Sequence, residues 1–369
     1  MPFPKARIYL VGAGVISRFH ARAAQKLPGG NRVPLAIADP NPAARADFSA
    51  RFPGARVFAD AKTMLAEPSR RGDVVVLATP PFTRFALAAA ALRSGRHVLC
   101  EKPLAMDASE ARRLLALARS HRRLVGCCST RFLDLPTTQE ARRLVDSGAL
   151  GRVYHTTFIQ RVQRFRTGIE YQPSSRWFLD RSKNGGGILM DWAPYDFSML
   201  NAVLSPVRVE VLHAWCANPT TKLKLPAGTV FDVETHAGAS LRFRRRDGSD
   251  VHVTYERASC THGEPRSVVE VEGTGGAVRW EWLMYSGKGE LTRSFDRNGK
   301  VASRTRAMTN RTGLGAHDRP LVHLWRRIVG LPSLALVNEA AAFNFCCLRA
   351  VYDCAATGKP QMVSRRSAP

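Results

Sequence analysis

The sequence predicts an α/β fold in two parts: a parallel sheet covered by helices, then a second domain built on a largely antiparallel sheet. Three observations carry this. Up to about residue 125, short strands alternate with helical stretches, and the strands are apolar on both faces, as in a parallel sheet buried on each side. Beyond that point, runs of alternating polar and apolar residues are joined by Gly-, Asn- and Asp-containing turns, the pattern of hairpins. The length, 369 residues, is more than one core usually serves. The expected domains are 1–125 and 126–369.

The elements follow in order. RIYLVG is a strand ending in glycine, followed by the helical VISRFHARAAQKL. VPLAIAD is a second strand closing on Asp39, and NPAARADFSARF is helical. ARVFAD and DVVVLATPP are strands, FTRFALAAAALRSG a helix, and HVLCEKPLA a strand leading into the helix DASEARRLLALARSH; RLVGCCSTRF comes next. After the helix of TTQEARRLVDSGALG, the strand-like runs are RVYHTTFIQRVQRF, RVEVLHAWCANP, GTVFDVETHAGASLRFRRRDGSDVHVTYER, SVVEVEGTGGAVRWEW and ELTRSFDRNGKVASR. The C-terminus returns to helix in RPLVHLWRRIV and NEAAAFNFCCLRAVYDCAATG, the latter (about 338–357) stopped by Gly358 and Pro360 and able to pack back on the first domain.

Composition narrows the function. Hydrophobic content is 45% and charged content 23%, ordinary for a globular protein. No apolar run reaches membrane-spanning length, and no signal-peptide pattern precedes the first strand. Eight cysteines without CxxC or metal-ligand spacing point to buried, reduced thiols and a cytoplasmic protein; no metal is expected. The net charge of +25 raises nucleic acid as a partner, but the arginines are spread along the chain and no nucleic-acid-binding signature accompanies them. A milder use of the charge is attraction of an anionic cofactor or substrate.

The chemistry-bearing motifs sit at strand ends. In GAGVIS, Gly12 and Gly14 stand between the first strand and helix, where glycine permits a tight turn and close approach to a pyrophosphate. Val15 and Ile16 open that helix and complete the candidate phosphate cradle; the third fingerprint position is Ser17, still small enough for close packing. Asp39 is placed to accept the ribose hydroxyls, favouring NAD, while Arg45 within reach of a 2′-phosphate leaves NADP open. Thr79, Pro80 and Pro81 of LATPP end another strand at the ligand-binding edge. Glu101 and Lys102 of HVLCEKPLA reach the same edge, where a lysine can polarise a carbonyl or hold a hydroxyl.

With these motifs the chain resembles the Gfo/Idh/MocA oxidoreductases. The likeness runs through GAGVISRFHA, ADPNPAAR, ATPP, GRHVLCEKPLAMDASEARRLL, TRF, VDSGALGRV, NGGGILMDW and AVYDCAATGKP. It implies an N-terminal Rossmann domain plus a C-terminal α/β domain with a large open, mostly antiparallel sheet, which commonly forms a homodimer or homotetramer interface. It implies an NAD(P)-dependent dehydrogenase acting on a sugar, inositol or other polyol, or a sugar-acid derivative. It makes Lys102 the active-site lysine and Asp191 the aspartate of the family's DxGxH motif. Three positions depart: Tyr195 replaces that motif's histidine, Ala193 its glycine, and Arg84 the histidine that commonly follows TP.

A tyrosine, with a reference pKa of about 10, is a poorer base than a histidine at about 6.5 unless its phenolate is stabilised. A neighbouring lysine ammonium would do that. The expected roles are therefore Tyr195 as proton donor and acceptor, Lys102 as tuner and substrate contact, and Asp191 as a ligand of a substrate hydroxyl or of Lys102; a competing assignment makes Lys102 the acid/base and Tyr195 only a hydrogen-bond donor. Arg131 could meet a cofactor or substrate anion or form an ion pair, and Trp177 could be a sugar-stacking wall or core. Lys183 and Asn184 could line the pocket, and His20 reads as helix packing. Asp191 and Tyr195, four apart, share one helix face, and Pro194 between them predicts a break or kink. The alternative to an active enzyme is a cofactor-binding sensor that has lost turnover.

Overall fold

The computed structural model describes residues 7–163, 175–219, 225 and 227–365. The chain packs as two units, one of residues 1–131 and 314–345, the other of residues 132–313 and 346–368. Residues 164 and 165, the end of the predicted RVYHTTFIQRVQRF strand, lie outside the described residues.

The first unit alternates β1 (Arg7–Val11), α1 (Val15–Ala24), β2 (Leu35–Ala38), α2 (Pro42–Arg51), β3 (Arg56–Phe58), α3 (Ala61–Leu65), β4 (Asp73–Leu77), α4 (Pro81–Arg93), β5 (His97–Cys100), α5 (Ala108–Ser120) and β6 (Val125–Cys127). The strands form one parallel sheet in the order β3-β2-β1-β4-β5-β6. The order reverses between β1 and β4, and ligands of such sheets bind outside the carboxyl ends at that crevice. All five residues of β4 are buried, which explains its unbroken apolar run.

In the second unit come α6 (Pro136–Asp146), β7 (Val153–Gln163), α7 (Arg181–Asn184), α8 (Ile188–Leu204), β8 (Arg208–Ala217), β9 (His236–Arg244), β10 (Asp250–Thr261), β11 (Arg266–Gly273), β12 (Gly276–Trp280), β13 (Lys288–Arg297) and β14 (Lys300–Thr309). The chain then forms α9 (Arg319–Ile328), whose Leu321, Leu324 and Trp325 join Ile8, Leu10 and Val76 in the first unit's core. It continues into α10 (Glu339–Thr357) and β15 (Gln361–Ser364). Asn338 ties this return segment to the parallel sheet: its Oδ1 accepts from the Val125 amide at 2.9 Å and its amide donates to the Val125 carbonyl at 2.8 Å.

The second sheet has nine strands in the order β14-β13-β12-β11-β7-β10-β9-β8-β15. Its pairings are antiparallel except β7 with β10. Asn298 and Gly299, both at positive φ, make the two-residue turn between β13 and β14 that the NG pair predicts. Helix α8 is buried along most of its length and runs unbroken through Pro194. The expected break is absent; proline forfeits one backbone bond, and burial of this helix on nearly every side outweighs it. All eight cysteines are free thiols, six of them buried. No helix among the described residues is long and apolar enough to cross a membrane.

Candidate active site

The first unit builds a cradle at the carboxyl edge of its sheet. The Gly12 amide donates to the Ala38 carbonyl at 2.8 Å, and the residue has φ +94°. A Cβ there would lie 2.9 Å from the Ala78 carbonyl oxygen and 3.2 Å from Thr79 Cγ2, so only glycine fits. A Cβ on Gly14 would meet nothing within 4 Å, which leaves open space before α1. That helix starts without a side-chain cap or an acidic residue in its first turn, so its leading amides at Val15 and Ile16 face this space with the positive end of the helix dipole. The Ser17 hydroxyl donates to the Gly12 carbonyl, turning the third fingerprint position into a clasp on the loop.

Asp39 is held at the end of β2. Its Oδ2 accepts from the Ala13 amide at 2.7 Å and its Oδ1 from the Asn41 amide at 2.8 Å. The carboxylate is thus fixed against the glycine turn, with lone pairs left for further donors. Arg45 donates to the Asp39 and Pro40 carbonyls at 2.6 and 3.0 Å. Thr79 and Pro80 are half-buried and Pro81 is buried at the start of α4; the Thr79 hydroxyl is enclosed without a hydrogen-bond partner. Arg84 is wholly buried, donating to the Thr79 carbonyl at 2.5 Å and to the Pro103 carbonyl. It therefore joins the TPP and EKP loops; burial lowers its pKa from the ordinary arginine value.

Lys102 leaves β5 on a buried anchor. The Glu101 amide donates to the Leu77 carbonyl at 3.0 Å, and the Lys102 amide to Glu101 Oε2 at 3.1 Å. Glu101 Oε1 meets His20 Nε2 and Arg131 Nη2, each at 2.8 Å. Burial opposes the charge on Glu101, but Arg131 and His20 outweigh it and hold the carboxyl well below its usual range. Arg131, 6% exposed, is thus committed to Glu101, and His20 is the carboxylate's partner as well as a packed residue. His20, Glu101 and Cys128 bring potential ligand atoms within 4.8 Å of one another. The carboxylate is ion-paired with Arg131 and bonded to His20, and burial pushes the Cys128 thiol well above its ordinary pKa.

A histidine that the motifs did not flag joins this edge from far along the chain. His317 stacks on Phe19 with ring centroids 4.4 Å apart, and Arg319 donates to the Arg131 carbonyl at 3.5 Å. Burial, then the Arg131 charge, lowers the His317 pKa to about 4, so the ring is neutral at pH 7.

The second unit carries Asp191 and Tyr195 on α8, and the structure explains the glycines before them. Gly185, at φ +81°, ends α7. A Cβ on Gly186 would fall 2.1 Å from the Tyr352 hydroxyl, and one on Gly187 would fall 1.9 Å from the Glu234 carbonyl oxygen. These contacts seat the N-terminus of α8. Glu234 Oε1 accepts from the Gly187 and Leu189 amides at 2.9 and 3.1 Å, and its carbonyl accepts from the Ile188 amide at 3.0 Å. The Tyr352 hydroxyl donates to Glu234 Oε1 at 2.5 Å and accepts from the Met190 amide at 3.3 Å. A buried carboxylate and phenol thus satisfy the amides ahead of Asp191.

Tyr195 is 3% exposed, edge-on to Phe132 at 5.1 Å and Trp192 at 5.7 Å. Below it, buried Asp196 accepts from Tyr255 at 2.8 Å and from Arg257 Nε at 2.9 Å. The Arg257 guanidinium lies 5.0 Å from the Trp192 ring centroid and 5.8 Å from that of Trp282; burial opposes its charge, but Asp196 prevails and raises its pKa. Asp191 is half-buried in the first turn of α8. Trp177 is in a separate 3-10 turn, stacked on Phe178 at 4.1 Å. Lys183 pairs with Asp180 at 2.8 Å, and Asn184 donates to the Gly186 carbonyl at 2.6 Å.

A glycine turn that excludes side chains, an uncapped helix start, an anchored carboxylate at the second strand and a lysine at the same edge define a dinucleotide-dependent redox fold. Residues 6–128 match the family model described as oxidoreductase family, NAD-binding Rossmann fold, and residues 138–279 match the GFO/IDH/MocA C-terminal domain. Together the matches take in more than half of the chain. It belongs to the Gfo/Idh/MocA oxidoreductases, and its first unit is their NAD-binding Rossmann domain.

The chain is 26% identical over 311 residues to levoglucosan dehydrogenase of Pseudarthrobacter phenanthrenivorans, covering 78% of this chain and 75% of that protein. It is 28% identical over 276 residues to inositol 2-dehydrogenase of Rhizobium meliloti, covering 74% and 75%. An uncharacterized oxidoreductase of Escherichia coli is 32% identical over 190 residues, and there the match spans about half of each protein, 51%. Among solved structures, levoglucosan dehydrogenase in complex with NADH and levoglucosan aligns with a TM-score of 0.78 at 20% identity, over 98% of this chain and 100% of that one. The WlbA dehydrogenase from Bordetella pertussis in complex with NADH and UDP-GlcNAcA gives 0.74 at 22% identity, over 98% and 99%. At such identities these likenesses speak to the fold.

Proposed function

We propose that this protein is an NAD-dependent dehydrogenase that moves a hydride between the nicotinamide and a carbinol of a sugar, inositol or other polyol, or a sugar-acid derivative. The observation that carries the reading is the anchorage of Lys102: a buried glutamate, ion-paired with Arg131 and hydrogen-bonded to His20, fixes the lysine's backbone at the same sheet edge as the Gly12 turn and Asp39. The names of the levoglucosan and inositol relatives support a polyhydroxylated substrate class.

In this reading the α1 amides and the Gly12–Gly14 turn, with Val15 and Ile16, take the pyrophosphate, and Asp39 accepts the ribose hydroxyls. The Thr79 hydroxyl, Pro80 and Pro81 border the redox end. Bound NAD supplies the hydride acceptor in oxidation, and NADH the donor in reduction. The Lys102 ammonium donates to the reacting oxygen and stabilises charge growing there. Tyr195 receives the hydroxyl proton during oxidation and returns it during reduction, while Asp191 holds a neighbouring hydroxyl and Trp177 offers an apolar wall. The open sheet supports self-association as a homodimer or homotetramer, and the eight free thiols support a reducing, cytoplasmic setting.

Fluorescence titration with NADH and NADPH, then a panel of inositols, aldoses, anhydrosugars and sugar acids, tests the assignment. NADH is expected to bind more tightly and at least one polyol to turn over. NADH binding with no turnover across the panel would favour the sensor. Single-turnover hydride transfer then separates the acid/base roles: near-normal chemistry in Tyr195→Phe, with loss in Lys102→Met, would move the proton transfer to the lysine.

A further inference from the structure

The arginines of the nine-stranded sheet are partnered unevenly. On β9 and β10, Arg242, Arg244 and Arg257 each have a carboxylate of their own: Glu210, Asp250 and Asp196. At the other edge this stops. The register of β13 with β14 sets Leu291 opposite Arg306, Arg293 opposite Arg304 and Phe295 opposite Ala302. Directly opposed residues share a face of the sheet, and like charges so opposed destabilise it. Helix α6 adds Glu140, Arg143 and Leu144, at i, i+3 and i+4 on one helix face.

These side chains line one groove of about 370 Å³, within the usual range for small-molecule sites. Its lining holds four arginines and one carboxylate. That carboxylate is already engaged, since Glu140 takes both Arg143 Nε and Nη2, at 2.7 and 2.8 Å. Among the described residues, no carboxylate forms an ion pair with Arg293 or Arg304, and Arg306 has only the electrostatic pull of Glu140, whose hydrogen bonds go to Arg143. Arg293 is also built in: it donates to the Ala149 carbonyl at 2.9 Å, its guanidinium lies 5.6 Å from the Phe295 ring centroid, and its Nε is enclosed without a partner. Leu144, Leu291 and Phe295 give the groove an apolar side.

We propose that this groove is a second ligand site, separate from the redox site, for a small polyanion that carries a ring: a nucleoside di- or triphosphate. Planar guanidinium forks match phosphate oxygens two at a time, and three such groups with no carboxylate hydrogen-bonded to them leave a net positive groove that favours an anion. The aromatic and leucine side chains suit the base. The proposal does not depend on the hydride chemistry.

Calorimetric titration of the full chain tests it, with ATP, ADP and inorganic tripolyphosphate as probes and NADH present throughout to fill the cofactor cradle. The comparison is the double variant Arg304→Ala/Arg306→Ala, both residues being exposed. ATP is expected to bind one site, more weakly at higher salt, and at least about tenfold more weakly in the variant. Tripolyphosphate is expected to bind less tightly than ATP. Without ligand, the variant is expected to melt at or above the wild-type temperature, because repulsion has been removed, and to lose the rise that ATP gives the wild type. No ATP binding at millimolar concentration, or binding unchanged in the variant, overturns the site. Tripolyphosphate binding as tightly as ATP overturns the assignment to nucleotides.

Discussion

Replacing Tyr352 with phenylalanine removes one oxygen and tests how the Asp191-bearing helix is seated. The hydroxyl donates to Glu234 Oε1 at 2.5 Å and accepts from the Met190 amide at 3.3 Å, so both partners lose a contact where neither reaches water. A hydrogen bond to a charged group contributes about 1.5–3 kcal/mol, and the longer bond to the orphaned amide adds up to about 1 kcal/mol. The ring keeps its place, so no cavity term is added, and the expected loss is about 3 kcal/mol. Urea unfolding checks this as a lower midpoint at unchanged slope. Met190 precedes Asp191, so kcat is expected to fall while NADH affinity, set in the other unit, holds. An unfolding free energy within about 0.5 kcal/mol of wild type would refute the reasoning, since the hydroxyl would then not be seating the helix.

Asp39→Ala removes the ribose acceptor and should weaken NADH binding by about tenfold or more while narrowing the preference over NADPH, read by fluorescence titration. Gly12→Ala should abolish binding, because its Cβ would press on the Ala78 carbonyl at an unfavourable φ, whereas Ser17→Gly should bind NADH with only a modest loss. Stability should fall as pH drops from about 6.5 towards about 4. His97 has a pKa of about 4 in the folded chain, because burial and the Arg123 charge disfavour its cation, and an ordinary value of about 6.5 when unfolded. The unfolded state therefore binds more protons across that window, and the neutral ring's contribution is intact above it. His97 Nδ1 accepts the Leu124 amide at 3.1 Å, so protonation breaks that bond; His97→Gln should make the pH profile of the melting temperature shallower, the part due to His317, also at about 4, remaining.

The first unit was legible because its signals are local. A glycine turn, an acid at the next strand's end and a lysine after an apolar strand each declare themselves within a few residues, and the parallel sheet then gathers them at one edge. The anchor beneath Lys102 was only half legible. Glu101 stands in the motif, yet its partners His20 and Arg131 are 81 and 30 residues away and are paired only by the order of the strands. Nothing local marked Glu234, and Tyr352 lay within AVYDCAATGKP with no role attached to it. The first looks like any polar residue at a strand's start, the second like any helix aromatic, and they meet across 118 residues. His317 was missed for the same reason: its segment joins the first unit after almost two hundred residues of the other. Pro194 misled in the other direction: local propensity foresaw a break or a kink, and the buried helix runs on without a break.

The triple glycine before α8 has a meaning for engineering and for drift. Read as text, three glycines suggest a pliable joint in which any small residue would serve. The space around them says otherwise. Gly185 holds a left-handed backbone, whereas Gly186 and Gly187 are pressed against Tyr352 and Glu234. A saturation scan should therefore tolerate nothing but glycine at 186 and 187. The four positions 186, 187, 234 and 352 also form one heritable unit. A chimera that takes α8 from one relative and the segments bearing positions 234 and 352 from another is expected to keep that helix in register only if all four travel together.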